Sequence, residues 1–510
     1  MSERYDAVVI GGGHNGLVAA ITLAERGRSV LVCERAGQLG GAVTTEELTR
    51  PGFHHDVFSA VYPAAVASPV LESMPLERFG LEWVHPPIAL AHPLPGGRAA
   101  ALHRDLEATA ASLDSLSGGD GRAWAELVRP WVRDFRTLRG VMLGGFPPVR
   151  GAARLLLRER VGGTLAFLRL LLSSAESLAG ELFTGDEARA WLYGSVLHGD
   201  VPPHESGSAI AGVYLQLMGH AVGWPSPRGG AGRLTEALTG YLHSLGGVTR
   251  TGAAVERVEV RRGRVAGVRL ADGEGVRADV VIASLTPDLL LRVAGRDLPE
   301  GYRAELGRYR IGPATFKVDW ALSGPVPWEA EDARHAGTVH VGGGSEEIIR
   351  AIDQRRSGLL PERPFLLFGQ QSLADPTRAP EGCHTAWSYT RVPHGIDWAD
   401  HTEAFAERMQ QQVERFAPGF SDRVLDRHVL TPPALEARDP NLVGGDVGGG
   451  SYSLDQVLFR PVARLVPYRT PVRGLYVGSS AAFPGGAVHG VPGHAAARVA
   501  LVEWPLRRLW

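Results

Sequence analysis

The stretch "VVIGGGHNGLVAA", residues 8–20, constrains this chain more than any other. Gly11, Gly13 and Gly16 stand at G-x-G-x-x-G spacing directly after the strand-like run Ala7–Ile10. The first glycine permits a tight turn, the second lets backbone approach a pyrophosphate, and the third lets the following helix pack close to the strand. A helix N-terminus there offers free N–H groups and a positive dipole end to phosphate. Alone the spacing is a weak signal, because a glycine-rich turn can be only a turn. Its context strengthens it. A helical pattern runs from about Leu17 to Arg26, Gly27 stops it, and Ser29–Cys33 reads as a second strand. Glu34 ends that strand, where an acidic residue takes a ribose hydroxyl. The segment reads as a βαβ unit holding a dinucleotide.

Which dinucleotide is decided just downstream. In "ERAGQLGGAVTTEE", Arg35 and then Gly40-Gly41 form a second glycine turn close to the phosphates. NAD-only Rossmann domains usually lack such a turn, whereas FAD enzymes whose site opens the chain commonly have it. FAD is the expected cofactor.

The 510 residues suffice for two or three domains with ample core. Hydrophobic content of 44% and charged content of 21% are those of an ordinary soluble globular protein. A net charge of -2, without a basic stretch interleaved with aromatics, argues against a nucleic-acid partner. Two cysteines, Cys33 and Cys383, exclude a disulfide framework, a cysteine-rich metal site and redox-disulfide chemistry. No metal site is expected. The strand starts too early for a signal peptide, and no run of about 18 apolar residues would span a bilayer, so a cytoplasmic location is expected. Lys317 is the only lysine among the basic residues.

Three segments read as nucleotide-domain material: 1–75, 225–290 and 465–510. In the second, a helix ends at Gly246-Gly247 and valine-alternating strands follow, with turns at Arg262-Gly263 and Asp272-Gly273. The third carries a strand at Gly474–Val477, a glycine-rich loop and a helix from about Gly493. The intervening 76–224, expected to be largely helical, and 291–464, mixing strands with a helix near 402–416, would form a substrate domain. The expected fold class is α/β: a Rossmann-type FAD domain, glutathione-reductase-like and of the amine-oxidase/phytoene-desaturase subclass, interleaved with an α+β substrate domain bearing a helical cap.

These motifs, together with "PGFHHDVFSA" (51–60), "SGSAIAGVYLQLMGHAVGWPSPRGGAGRLTEAL" (206–238), "YRIGPATFKVDWALSGPVPW" (309–328), "NLVGGDVGGGS" (441–451) and "PYRTPVRGLYVGSSAAFPGGAVHGVPGHAAA" (467–497), resemble the phytoene-desaturase-like FAD oxidoreductases. Within that family the chain is similar to the bacterial relatives of pyridine nucleotide-disulfide oxidoreductase domain-containing protein 2, which also lack redox cysteines. The resemblance spans nearly the whole chain in order, and it implies a non-covalent FAD stretched along the first domain. By match to the motifs, Gly11, Gly13, Asn15 and Gly16 would line the pyrophosphate, and Glu34 would take the ribose, with Arg35, Gly40 and Gly41 beside the phosphates. Val255 would clasp the adenine region. Gly478 and Ser479 would meet the phosphate and ribityl chain, and Gly486, Val491 and Pro492 would approach the isoalloxazine. Two residues depart from the family pattern: Ser480 follows Ser479 where many relatives have an acid or glycine, and His494 stands where asparagine is common.

Four residues are candidates for catalysis. His489, between two flavin-contacting stretches, reads as an acid/base or as a brace for backbone carbonyls. Lys317 shares a strand face with Asp319 two residues on; it would hold a water at flavin N5, as a strand-borne lysine does in amine-oxidase-like folds, or form a buried ion pair. Arg228 and His220 lie on a segment expected to cross near substrate. His54-His55 raises the thought of a histidyl-linked flavin, but in this family the stretch is a non-covalent contact. The apolar, arginine-bearing run 150–178 reads as a peripheral membrane-docking helix or as an amphipathic cap or homodimer contact, with Gly162-Gly163 expected to break it; "VEWPLRRLW" at the end adds slight support to membrane proximity.

Three functions are weighed. The first is an FAD oxidoreductase acting on carbon–carbon bonds of an apolar small molecule, by desaturation, saturation or isomerisation. The second is an amine or alcohol oxidase reducing O2, for which Lys317 and an aromatic pair at the flavin would be the marks. The third is a non-catalytic FAD-containing interaction protein, which the intact flavin-facing motifs disfavour. "HVGGGSEE" at 340–347 lacks the final glycine of a second nucleotide motif, so O2 or a quinone is the expected electron acceptor.

Overall fold

In the computed structural model, which describes residues 3–505, the strand Arg4–Ile10 lies at the centre of a mixed sheet. It pairs in parallel with Val30–Cys33 on one side and Gly275–Ala283 on the other. Val248–Arg250 and Leu475–Val477 extend the parallel array outward. Side chains alternate between faces along a strand. Accordingly Ala7 and Val9 join a core with the helices His14–Ala24, Gly232–Ser244 and Val491–Glu503, while Val8 and Ile10 join a second core with Leu290, Tyr302 and Leu306. Both faces are covered, which is why these strands read as unbroken apolar runs. The antiparallel hairpin Val255–Arg261 and Arg264–Leu270 finishes one edge, turning at Arg262 (φ 53°) and Gly263 (φ 76°).

A second seven-stranded sheet runs Val424–Leu430, Ala314–Leu322, His384–Val392, Leu366–Gly369, Ala336–Val341, Ile88–Leu94 and Arg98–Leu102. One face packs Phe316, Trp320, Trp328 and Phe368 against the helix Trp398–Glu414. The alternating residues Thr315, Lys317, Trp387, Tyr389 and Arg391 face the other way, into the cavity described below.

The segment 76–224 is mostly helical and also supplies the strands Trp83–Val84, Ile88–Leu94 and Arg98–Leu102. Every residue of "IALAHPL" is buried, and an apolar run covered on both faces carries no period that separates strand from helix. The long helix Val149–Leu172 is interrupted at Arg160 (φ 54°), not at Gly162-Gly163. On that helix Leu157 is 82% exposed, with Val149, Val161, Leu165 and Leu172 also largely uncovered. No helix among the described residues is long and apolar enough to cross a membrane. Residues 506–510 of the terminal "VEWPLRRLW" lie outside the described residues.

Candidate active site

A single cavity of about 850 Å³ runs from the glycine turn to the second sheet and the helical region. At one end it is lined by Gly11, Gly13, His14, Asn15, Glu34, Arg35, Gly41, Ser284 and Val255. The turn between strand and helix is shaped by close approach. Gly11 has φ +98°, a conformation glycine adopts without strain. A Cβ on Gly16 would stand 1.9 Å from the Gly11 carbonyl oxygen, so Gly16 lines no cavity but lets the helix begin at His14, inside the motif rather than at Leu17. The second glycine turn docks on the first: Gly40 N–H donates to Gly12 O at 2.9 Å, and Gly41 faces the cavity. The Glu34 carboxylate accepts from Gly12 N–H (2.7 Å) and Ala36 N–H (2.8 Å), which fixes it at the cavity edge.

The helix Val491–Glu503 starts beside the same turn. A Cβ on Gly493 would meet Asn15 O at 1.9 Å, so the two helices touch backbone to backbone at their N-termini. Gly478 is a packing residue between strand and helix, with Ile282, Ala496 and Gly493 within 3.3 Å of a Cβ built there. Ser479 lines the cavity and donates to Leu285 O at 2.7 Å, and Gly486 lines it from the next loop. Val491 and Pro492 do not line it; they are the first turn of the helix behind it.

The far end is apolar: Met142, Phe146, Phe167, Leu171, Ile210 and Leu458 come from four separate segments. Charges on this wall are spent on one another. Lys317 Nζ is bound by both oxygens of Asp319 and by Asp56 O at 3.1 Å, so its three donors have acceptors. Burial raises the Asp319 carboxyl to about 6, against the pull of Lys317. Beside it Arg378, 1% exposed, joins Asp56 and Asp375. Arg391 pairs with Asp200, and Glu46 with Arg438. Trp387 and Tyr389 stack at 5.9 Å and 7°. Two parallel rings need a gap of about 7 Å to admit a molecule between them, twice the optimal contact distance, so this pair is a wall and not a cage.

The sequence matches the flavin-containing amine oxidoreductase family over residues 16–500. It is 30% identical to mouse pyridine nucleotide-disulfide oxidoreductase domain-containing protein 2, covering 98% of this chain and 94% of that one. It is 25% identical to a neurosporene-forming phytoene desaturase of Rhodobacter capsulatus, over 96% and 92%. The fold is shared with an oxidoreductase from Methanosarcina mazei, at TM-score 0.65 and 19% identity over 98% and 99% of the two chains. The chain belongs to the flavin-containing amine oxidoreductase family. It is an FAD-dependent oxidoreductase.

The cavity suits FAD. Two buried polar atoms at the helix N-terminus, His14 Nε2 and Asn15 Oδ1, have no protein partner, and both residues line the cavity. The converging glycines leave backbone where a pyrophosphate has to approach. FAD, when bound, supplies the ring that accepts a hydride.

Placed against this cavity, the candidates for catalysis separate. His489 lines the cavity, but both its nitrogens are engaged: Nδ1 accepts from Val491 N–H (3.2 Å), so Nε2 carries the proton and donates to Gly486 O (3.0 Å). Burial and the neighbouring His14 lower it to about 3. It braces the loop through both nitrogens. Lys317 reaches the cavity as half of a buried ion pair. Arg228 is half-exposed, bound to Glu82 at 2.8 Å, and lines no part of the cavity. His220 is buried behind the helices, accepting from Trp124 Nε1–H at 3.2 Å, and burial lowers it to about 4. Both sit on the expected segment, yet their side chains turn to other partners. His55 also lies outside the cavity, 3.7 Å from Asp319, and His54 outside it near Glu47.

Some cavity residues escaped the sequence reading. His14 lies inside the glycine motif itself, and its position between Gly13 and Asn15 was the available signal. Asp439 and Asn441 open the glycine-rich "NLVGGDVGGGS" neighbourhood; Asn441 accepts from Thr286 N–H and ties that loop to the first sheet. His198, Tyr389 and Arg391 carry no local pattern. The strand–glycine–helix unit at 336–356 is closed to phosphate: Asp186 accepts from Ser345 N–H at the helix start.

Proposed function

We propose that the protein transfers a hydride from a carbon–carbon bond of an apolar small molecule to flavin N5, in a desaturation or dehydrogenation, with O2 or a quinone as electron acceptor. The observation that carries this reading is the far end of the cavity, apolar over several segments and without an unpaired carboxylate. A protonated amine entering there would lose its hydration without gaining a counter-ion, which is costly. The similarity to a phytoene desaturase supports the same substrate class. On this reading Gly11, Gly13, Asn15, Glu34, Arg35, Gly41, Val255, Ser479 and Gly486 hold FAD, Gly16, Gly40, Gly478, Val491 and Pro492 shape the backbone around it, and Lys317–Asp319 fixes the wall facing the ring. An amine or alcohol oxidase is less well supported, because Trp387 and Tyr389 leave no gap between them.

The proposal includes a cytoplasmic protein in peripheral contact with a lipid surface along 149–172. Leu157, Val161 and Leu165 are exposed there among Arg150, Arg154 and Arg158, and Phe167 and Leu171 of the same helix line the cavity. Exposed apolar residues flanked by arginine suit an interfacial helix.

The deciding experiment is anaerobic photoreduction of the purified holoprotein, followed in separate samples by air and by a soluble quinone. Reoxidation by air or by quinone, the faster naming the acceptor, is expected, followed by turnover with apolar alkenes. Fast reoxidation by air with turnover of amines would overturn the proposal.

A further inference from the structure

Three histidines cluster at the second sheet, His92 and His340 fully buried and His198 part-exposed on the cavity, and the hydrogen bond between His198 and His340 settles where their protons are. His198 Nε2 and His340 Nε2 are 2.8 Å apart. His340 is fully buried, and its Nδ1 has no partner. His92 stands edge-on 6.5 Å from the His340 ring and is spent elsewhere, its Nε2 on Gly343 O at 2.7 Å.

Burial lowers His198 to about 3 and His340 well below its ordinary value, so both rings are neutral near pH 7 and each carries one proton. Two arrangements satisfy the bond between them. If His198 Nε2–H donated, His340 would have to keep its proton on Nδ1, a buried donor with nothing to accept it, and an unmade donor is the more expensive kind of orphan. If His340 Nε2–H donates, its bare Nδ1 is only an unused acceptor. The second arrangement places the remaining proton on His198 Nδ1.

His198 lines the cavity and is the part-exposed member of the pair. Its Nδ1 has no protein partner among the described residues, and Trp224, edge-on at 5.5 Å, steadies the ring. We propose that His198 presents an Nδ1–H donor to the far, mostly apolar end of the cavity, held in that tautomer by His340, and that the substrate is an apolar molecule bearing one neutral oxygen acceptor, a carbonyl or hydroxyl. A carboxylate is disfavoured because the nearby Arg391 is already paired with Asp200. The inference rests on the apolar-substrate reading above and narrows it.

The test uses the FAD-loaded enzyme and two ligands of one shape, 2-undecanone and 2-methylundec-1-ene, titrated by the perturbation of flavin absorbance. His198→Phe is expected to weaken the ketone about tenfold, the scale of one lost hydrogen bond with a buried acceptor left unmade, while the alkene stays within about twofold. His198→Gln, which keeps an N–H, should recover part of the ketone affinity. In the unmutated holoenzyme, nitrogen-15 correlation spectra should show His198 protonated on Nδ1. Equal weakening of both ligands, or a proton on His198 Nε2, overturns the donor while leaving the apolar site intact. Failure of either ligand to perturb the flavin of the unmutated protein overturns the apolar site and the donor with it.

Discussion

At the dinucleotide end of the cavity the decisive contacts are backbone, and they are tight: Gly16 against Gly11, Gly493 against Asn15, Gly40 against Gly12. At the far end they are side chains, Phe167, Leu171, Ile210 and Leu458 among them, drawn from separate helices and loops. At Gly16 and Gly493 the first end tolerates no added atom, because backbone meets backbone there at the separation a missing Cβ allows. The second fills space with flexible groups, and a changed group there changes the shape of the space. A common cofactor therefore needs a rigid cradle, whereas the substrate is chosen by a surface that can vary without loss of the fold.

The sharpest break in that contrast would come from Gly16→Ala. Its Cβ would overlap the Gly11 carbonyl, and the purified variant is expected to hold less than about a tenth of the normal flavin, read from absorbance, or not to accumulate as folded protein. Leu171→Ala at the other end should keep full flavin content and raise KM, with the cost of a truncated aliphatic wall residue, at most about 2–3 kcal/mol. If Leu171→Ala emptied the flavin site as well, the two ends would not be separable.

Between them lies the Lys317–Asp319 pair. Lys317→Met leaves a carboxylate buried without its cation, and removing one partner of such a pair costs about 3–5 kcal/mol. A markedly lower Tm with retained flavin is expected, and Lys317→Met combined with Asp319→Leu should recover most of it. An unchanged Tm in the single variant would show that the pair carries little.

Acid sharpens the comparison further, because histidines are buried at both ends. His14, His55, His92, His198, His220, His489 and His494 are each lowered by burial to about 3 or 4, against an ordinary value near 6.5. Below about pH 6.5 the unfolded chain takes up protons that the folded chain refuses, so stability falls as pH drops toward 4. Asp200 and Asp319, raised to about 6 by burial, and Asp439, also raised by burial, act in the opposite sense below about 6, but three carboxylates do not offset seven imidazoles. The Tm should be lower at about pH 5 than at pH 7.5, and a flat profile would contradict the neutral state of these rings.

The smallest effect concerns the outer surface. Leu157→Glu with Leu165→Glu should leave flavin content unchanged and Tm nearly so, since surface changes stay within about 0.5 kcal/mol, while reducing sedimentation with anionic vesicles. Equal sedimentation of the variant would remove the lipid contact from the proposal.

The cofactor end was legible because its constraint is local. Glycines at fixed spacing after an apolar strand, an acidic residue after the next strand and a second glycine pair lie within about thirty residues of one another, and each reports a backbone requirement that few other residues meet. The same locality made Lys317 and Asp319 readable as a pair, because two residues on one strand face must meet. The hairpin at 88–102 was not legible, since burial on both faces erased its period. His220 and Arg228 were placed on the right segment but not on the right side of it.

By itself the sequence determined that this chain builds a Rossmann-type domain and holds FAD, because turn geometry and phosphate approach are decided between near neighbours. Only the tertiary structure decided what His489, His198 and Trp387 do. Each answer depends on which group the folded backbone brings within about 3–6 Å: Gly486 and Val491 of the same loop around His489, the distant His340 behind His198, and Tyr389, two residues on along the strand, against Trp387. A proton's position on an imidazole is set by its partners, and a partner 142 residues away is a fact of the fold and not of the local sequence.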